Sequence, residues 1–313
     1  MMTTPLTLDL VNDLLLEQSL RIANKDSTIQ KLENILKHGR KNVHFICVTM
    51  KYVLVSDFDM TLSRHWVKDE DGKPVRNHST HAVLGKYKRL SPEHFIQFHA
   101  ETQRLYNHYY PIEISQSLTF EQKVPEMISW WNQAHNAIIG QNITKEDIAL
   151  MVQQSYIEMR PDVEHFLKLC SNEAIPLLVF SAGVSDVIHE VLKSHGMLFD
   201  NMHIVSNQMG WNENSVCDHF VDPLIHVFNK SEFSLENTAY YDTIKDRTNV
   251  ILVGDSVGDV LMSQGVQHDT CLNIGFLNHD IDDLYEKYSK LYDILILGDS
   301  SIKPIMKILE KLQ

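Results

Sequence analysis

The chain has 313 residues, 43% hydrophobic and 22% charged, the balance of a globular protein with one large domain or two ordinary ones. Its formal charge of −13 repels nucleic-acid backbones and acidic membrane surfaces, so an anionic substrate needs a local cationic site or a metal. No apolar run approaches the ~20 residues of a membrane span, and Cys47, Cys170, Cys217 and Cys271 lie far apart without metal-binding spacing, as expected of reduced structural thiols.

Such thiols are expected of a cytoplasmic protein, and the first ten residues lack the basic-then-apolar order of a signal peptide. Residues 8–38 predict one or two amphipathic helices, with Asp26-Ser27 as a cap and Ile29, Leu32, Ile35 and Leu36 on the apolar face. Val43 to Met50 is apolar and runs on towards Val53-Leu54-Val55, too far for one ordinary strand. It reads either as a separate strand or as an insertion, and no function attaches to it.

Val53-Leu54-Val55-Ser56-Asp57-Phe58-Asp59-Met60-Thr61-Leu62 organises everything that follows. The apolar run predicts a buried parallel strand, and open α/β sheets bind ligands at the carboxyl ends of such strands. Asp57 then sits at the strand tip and Asp59 one step into the loop. Taken alone, the pair is also consistent with turn-forming aspartates.

Residues 66–157 change character. Helical spacing and start signals recur at Ser91 to Tyr106, Thr119 to Ile139 and Thr144 to Met159, without strand–helix alternation. This predicts a helical cap inserted between residues 1–65 and 158–313 of an α/β core. From Arg160 the alternation returns. Strands are expected at Pro176–Phe180, Ile204–Asn207, Asn249–Val253, Cys271–Phe276 and Asp293–Leu297, with a β-excursion turning at Asn212–Asn214. Helices are expected at 162–171, 185–195 and 302–312. The fold class is α/β, a doubly wound and mostly parallel sheet.

Four groups fall at strand ends or in loops: Asp57 with Asp59, Ser181 with Ala182 and Gly183, Lys230, and Asp255 with Asp259. Ser181 alone reads as a helix cap and Lys230 alone as a surface lysine. Together they suit one task, holding a phosphate beside Mg²⁺ while a carboxylate attacks phosphorus. Carboxylate oxygens are hard ligands for Mg²⁺, which offsets repulsion between nucleophile and phosphate dianion. Backbone N–H groups at Ser181-Ala182-Gly183 can cradle phosphate oxygens, and a lysine supplies a point charge.

In this order the motifs resemble those of the haloacid dehalogenase-like hydrolases: DxDxT at Asp57-Phe58-Asp59-Met60-Thr61, the strand-terminal Ser181, Lys230, and GDxxxD at Gly254 to Asp259. The resemblance implies that Asp57 is a nucleophile forming an aspartyl-phosphate, and that Asp59 is the general acid and then base. It also implies that Mg²⁺ is held by the Asp57 side chain, the Asp59 backbone carbonyl and the Asp255 side chain, with Asp259 in support. His108-Tyr109-Tyr110-Pro111-Ile112-Glu113, Val179 to Gly183, Val205-Ser206-Asn207 and Leu224 to Lys230 are similar to segments of the cytosolic 5′-nucleotidase III family. That similarity runs from about Asp26 to the end of the chain. It implies hydrolysis of nucleoside 5′-monophosphates.

Within that resemblance Glu113 corresponds to the base-recognising glutamate, able to accept from the amine of cytosine or the N1–H and amine edge of guanine. Trp130-Trp131 with Ala134-His135 resembles the branch specific for 7-methylguanosine monophosphate, whose methylated base carries a positive charge that a Trp face attracts. Trp131 is the candidate stacking residue, against core packing as the plainer reading. His65 replaces the family's Phe near the base pocket, and either completes the sandwich or fills space. The expected substrates are CMP and 7-methylguanosine monophosphate. The alternatives are a UMP/CMP enzyme with nucleoside phosphotransferase side activity and a non-catalytic nucleotide sensor. Nucleic acid and membrane are not expected partners, and the protein is expected to be a monomer.

Overall fold

The computed structural model describes residues 5–39, 52–85, 92–115, 117–155, 157–230, 239–265 and 268–312. Helices α1 (Pro5–Leu15) and α2 (Lys25–Gly39) flank a short strand, β1 (Leu20–Ile22). The expected central strand is β2 (Tyr52–Ser56). After it come a hairpin of β3 (Trp66–Lys68) and β4 (Pro74–Arg76), then helices α3 (Thr80–Leu84), α4 (Pro92–Ile114), α5 (Phe120–Ile139) and α6 (Lys145–Ser155). The chain returns through α7 (Val163–Asn172), β5 (Leu177–Val184), α8 (Ser185–Ser194) and β6 (Met202–Asn207), and a hairpin of β7 (Met209–Trp211) and β8 (Cys217–Phe220). It ends with α9 (Ala239–Ile244), β9 (Asn249–Gly254), a 3₁₀ turn (Asp259–Gly265), β10 (Thr270–Leu277), α10 (Ile281–Tyr288), β11 (Ile294–Leu297) and α11 (Lys303–Leu312).

Seven strands form one sheet in the order β1-β11-β10-β9-β2-β5-β6, parallel except for β1, which pairs antiparallel with β11. The expected doubly wound sheet is therefore present. Every residue of β2 is buried. Tyr52 and Leu54 join the core on one face, and Val53 and Val55 join the core on the other, as a strand covered on both faces requires. From β2 the chain moves to β5 and β6 on one side and later to β9, β10 and β11 on the other. The carboxyl end of β2 is thus the switch point where such sheets bind ligands.

Several local expectations need correction. The cap of α2 is Asn24, whose Oδ1 accepts the Ser27 N–H at 3.0 Å, so the helix starts one residue before Asp26. Residues 66–157 are not helical throughout, because β3 and β4 open the segment. Their turn is built on Asp69, whose Oδ1 accepts from the N–H groups of Asp71 and Lys73, with Gly72 at φ +76°. The helix expected to run to Met159 stops at Ser155, and Met159 instead bridges to Ser63. Val43 to Met50 lies outside the described residues.

The helices between β2 and β5 pack in two ways. Ile138 of α5 and Ile148, Met151 and Val152 of α6 belong to the main core beside α8. Leu105, Tyr109 and Met127 form a small separate cluster completed by Phe228, from the loop that carries Lys230. Burying each large side chain contributes about 1.5–3 kcal/mol, so this cluster fixes α4 and α5 over the sheet end. Cys170 and Cys217 are buried and unpaired, and burial pushes both thiols up, which fits inert structural cysteines. Among the described residues no helix is long and apolar enough to cross a membrane.

Candidate active site

The loop after β2 is shaped by its own backbone. Asp57 N–H donates to the Val253 carbonyl at 3.0 Å, and Met60 then takes the left-handed conformation at φ +61°. That conformation is costly for a residue with a side chain, so outside contacts must hold it. The Met60 carbonyl accepts from the Arg160 guanidinium and from Asn278 Nδ2 at 3.0 Å, and the Thr61 carbonyl accepts from Arg160 Nε at 2.6 Å. Arg160 is 1% exposed and stacks on Phe276.

Lys230 lies in front of this loop. Its buried Nζ donates to Asp57 Oδ1 and to Asp259 Oδ1, each at 2.7 Å. The other oxygen of Asp259 accepts the N–H groups of Asp255 and Ser256 at 3.0 and 2.9 Å. Among the described residues the Asp255 carboxyl receives only longer contacts, from Thr61 Oγ1 at 3.3 Å and Asn278 Nδ2 at 3.5 Å. One ammonium therefore faces three carboxylates, whose oxygens come within 4.8 Å of one another. Burial, followed by repulsion from Asp259, pushes Asp57 up against the pull of Lys230. Burial, Asp259 and Asp57 push Asp255 well above the carboxylate range. Burial works against the charge of Lys230, but its two aspartates outweigh it and hold the ammonium protonated. Uncompensated negative charge on hard oxygens, with Asp255 short of strong donors, suits a divalent cation such as Mg²⁺.

Asp59 points to the other side. Its Oδ1 accepts the Thr80 N–H at 3.0 Å and its Oδ2 accepts the Thr80 hydroxyl at 2.8 Å. Burial pushes it up to about 6, and the two Thr80 hydrogen bonds act against that rise.

Ser181, Ala182 and Gly183 end β5, where its register with β6 shifts. Ser181 Oγ accepts the Gly183 N–H at 3.0 Å. Asn207 secures the turn from behind, donating to Ala182 O and Ile225 O and accepting the Ile225 N–H. A Cβ on Gly183 would lie 2.3 Å from Thr80 Oγ1, so this position needs glycine.

These groups and the helices above them enclose a cavity of about 550 Å³, ample for a nucleotide-sized ligand. Asp57, Asp59, Glu113, Trp131, Ser181, Ala182, Lys230 and Asp255 all line it. Trp131 is tied to the floor by its Nε1–H, which donates to Ala182 O at 3.0 Å, and it meets the His81 ring edge-on. Trp130 lines the cavity as well and stacks on Tyr109. Glu113 belongs to the last turn of α4, and its carbonyl and that of Ser115, just past the helix, accept from Lys123 Nζ. Burial pushes the Glu113 carboxyl up to about 7, while Arg76 and Lys123 favour its charged form. His65 does not line the cavity. It packs against Trp66 and His279, and burial lowers it to about 4, so it is a neutral space-filling ring.

Sequence reasoning missed Thr80, Arg76, Arg160 and Asn278. Asn278 follows the buried strand β10 and Arg76 closes β4, but neither stands in a motif, and Thr80 and Arg160 follow no strand. Asn207 did stand in a singled-out segment, although its bonding could not be read there.

Known proteins are similar to this chain in sequence and fold. Residues 60–313 match the family model described as pyrimidine 5′-nucleotidase (UMPH-1). A human 7-methylguanosine phosphate-specific 5′-nucleotidase is 38% identical over 258 residues, covering 82% of this chain and 83% of that protein. The 7-methylguanosine phosphate-specific 5′-nucleotidase A of Xenopus laevis is 31% identical over 295 residues, covering 94% and 96%. Among solved structures, cytosolic 5′-nucleotidase IIIB bound to cytidine aligns with a TM-score of 0.81 at 27% identity, over 96% of each chain. A hydrolase of the HAD family from Salmonella enterica serovar Typhi shares the fold at a TM-score of 0.50 and 14% identity, over 83% of this chain and 72% of that one. The chain thus belongs to the pyrimidine 5′-nucleotidase (UMPH-1) family, a 5′-nucleotidase with a haloacid dehalogenase-like fold acting on small-molecule nucleotides.

Proposed function

We propose that this enzyme hydrolyses CMP and 7-methylguanosine monophosphate through an aspartyl-phosphate, in the cytoplasm and as a monomer. The observation that carries the reading is the single cavity: Lys230 bridges Asp57 and Asp259 at one end, and Glu113 and Trp131 stand on its wall. The phosphate lies against Ser181, Ala182 and Lys230. An Asp57 oxygen bonds to phosphorus as the P–O5′ bond breaks, and Asp59 gives its proton to O5′. Asp59 then takes a proton from water, whose oxygen displaces Asp57 and releases phosphate. The side chains of Asp57 and Asp255, the Asp59 carbonyl and Asp259 behind them would hold Mg²⁺, which when bound supplies the charge that lets an anionic nucleophile approach a phosphate dianion.

Residues 66–157 serve in this reading as a cap over a core made of 1–65 and 158–313. Glu113 and Trp131 bring base recognition from the cap, and the positive charge of a 7-methylguanine suits the Trp131 face. Phosphate release from CMP, UMP, GMP, AMP and 7-methylguanosine monophosphate, with Mg²⁺ and with EDTA, tests it. Preference for CMP and the methylated nucleotide, lost in EDTA, is the expected result. Preference for CMP and UMP alone would return Trp131 to a packing role and favour the pyrimidine enzyme.

Glu113 makes a second test. It offers two free acceptor oxygens and a negative charge to amine and N–H groups only as a carboxylate, and burial raises it so that it takes up a proton as pH falls through about 7. Glu113→Gln is expected to raise KM about tenfold at pH 8, the loss of one charged hydrogen bond. The ratio of variant to parent KM cancels the substrate's own ionisation, and it is expected to shrink towards one below pH 6. A ratio that stays flat across pH would remove Glu113 from base recognition.

A further inference from the structure

We propose that Thr80 is a positioning residue that orients the Asp59 carboxyl for proton transfer to the leaving oxygen and ties that carboxyl to the phosphate-holding turn. The inference rests on the reading of Asp59 as acid and base. Thr80 is fully buried, and both of its donors are spent on Asp59: the hydroxyl on Oδ2 at 2.8 Å, and the N–H on Oδ1 at 3.0 Å with a longer contact to Oδ2 at 3.3 Å. Its hydroxyl oxygen also accepts the Val184 N–H at 3.1 Å, at the end of the strand that carries Ser181. One side chain thus joins the loop after β2, the turn after β5 and the root of the helical segment.

That root is itself rigid. Asn77 Nδ2 donates to the carbonyls of Arg64 and Glu158, each at 2.9 Å, clamping together the points where the segment leaves and re-enters the sheet domain. Ser79 caps α3 through the Ala82 N–H. Thr80 therefore approaches Asp59 from a fixed base, close enough that Gly183 has no room for a side chain.

The chemistry explains why a hydroxyl suits the place. Asp59 must be an acid when the P–O5′ bond breaks and a carboxylate when it activates water. A hydroxyl has one proton to donate and two lone pairs. Val184 occupies one lone pair, so Thr80 can donate to the carboxylate or use the other lone pair to accept from the carboxylic acid. The Thr80 N–H, a donor only, lies closer to Oδ1 than to Oδ2, 3.0 against 3.3 Å, and so favours an unprotonated Oδ1 with the proton on Oδ2.

The test compares the best nucleotide of the substrate panel with its 5′-S-phosphorothiolate analogue, whose thiolate departs without needing a proton. Orientation supplies part of the hundredfold to ten-thousandfold that general acid catalysis contributes, so Thr80→Val is expected to lower kcat on the nucleotide about tenfold to hundredfold. KM is expected to change less than about twofold, and single-turnover release of the thionucleoside from the analogue to slow less than about threefold, since that step, unlike the later attack of water, needs no proton from Asp59. Thr80→Ser keeps the hydroxyl and is expected to restore turnover. If Thr80→Val does not fold, Thr80→Ala carries the same comparison. Equal losses on both leaving groups, a Ser variant as impaired as Val, or parental kcat in Thr80→Val would each overturn the proposal. Asp59→Asn separates it from the reading beneath: parental turnover in that variant overturns the acid/base role itself. Loss in Asp59→Asn without loss in Thr80→Val leaves that role standing and removes Thr80 from it.

Discussion

Replacing Asp57 with Asn is expected to abolish nucleotide hydrolysis while leaving the fold and nucleotide binding in place. Asn matches the carboxylate in shape and can still accept from Lys230, but it cannot form an acyl phosphate. Losing a covalent nucleophile costs on the order of 10⁴-fold or more in kcat. The variant's stability in EDTA is expected to equal or exceed the parent's. Three carboxylates now crowd one ammonium in a buried site, and removing one of them relieves repulsion from Asp259. Nucleotide with Mg²⁺ is still expected to raise the variant's melting temperature, because binding to the folded state stabilises it. Acid-quenched parent incubated with phosphate-labelled nucleotide is expected to retain label on the protein, and the variant is not. Residual turnover within about a hundredfold of the parent would exclude covalent catalysis by Asp57.

Three parts of this site legible from the residues themselves share one property: each follows a buried strand, whereas Lys230 in its loop and Glu113 and Trp131 on their helices are named through motif order and resemblance. Val53-Leu54-Val55, Leu177 to Phe180 and Val250 to Val253 are apolar runs that can be buried on both faces, and their ends present Asp57, Ser181 and Asp255. Motif order and strand position therefore carried most of the chemistry. What stayed hidden has few local signals. β1 is three residues long and exists because Leu20 to Ile22 pairs with β11, far along the chain. The β3–β4 hairpin did carry a signal, Asp71-Gly72 between short strands, but its exposed residues show no hydrophobic alternation. Thr80 reads as an ordinary helix-start residue, and only the folded chain brings it to Asp59. His65 illustrates the converse. A position known through resemblance alone suggested the base pocket, whereas packing places the ring against His279, away from the cavity.

Arg160 carries the other large expected effect, and nothing beside it in the sequence announces one. Arg160→Met preserves bulk and removes the guanidinium. The change withdraws donors from the carbonyls of Met60, Thr61 and Ser300, from Asn278 Oδ1 at 3.1 Å and from Asp299 Oδ1 at 3.3 Å. Asp299 keeps Arg64 and two backbone N–H groups, and Met60 keeps Asn278, so the damage concentrates on Thr61 and the strained loop. Burial lowers Arg160 only to about 10, so a charged group is lost at neutral pH. Removing one member of a buried charged network costs about 3–5 kcal/mol, a drop in melting temperature of roughly 5–8 °C for a chain of this size. The effect on turnover is expected to be larger than that on folding. Without Arg160 the left-handed Met60, which costs about 1–3 kcal/mol to hold, can relax and carry Asp57 and Asp59 with it. A displacement of about 1 Å at reacting groups lowers rate about a hundredfold, even at temperatures where the variant is fully folded. Arg160→Lys is expected to rescue neither, because an ammonium cannot reach all of these acceptors in one plane. A folded Arg160→Met variant with parental kcat would show that the loop keeps its shape without the guanidinium, and would move the origin of the Met60 conformation to Asn278 and Ser63.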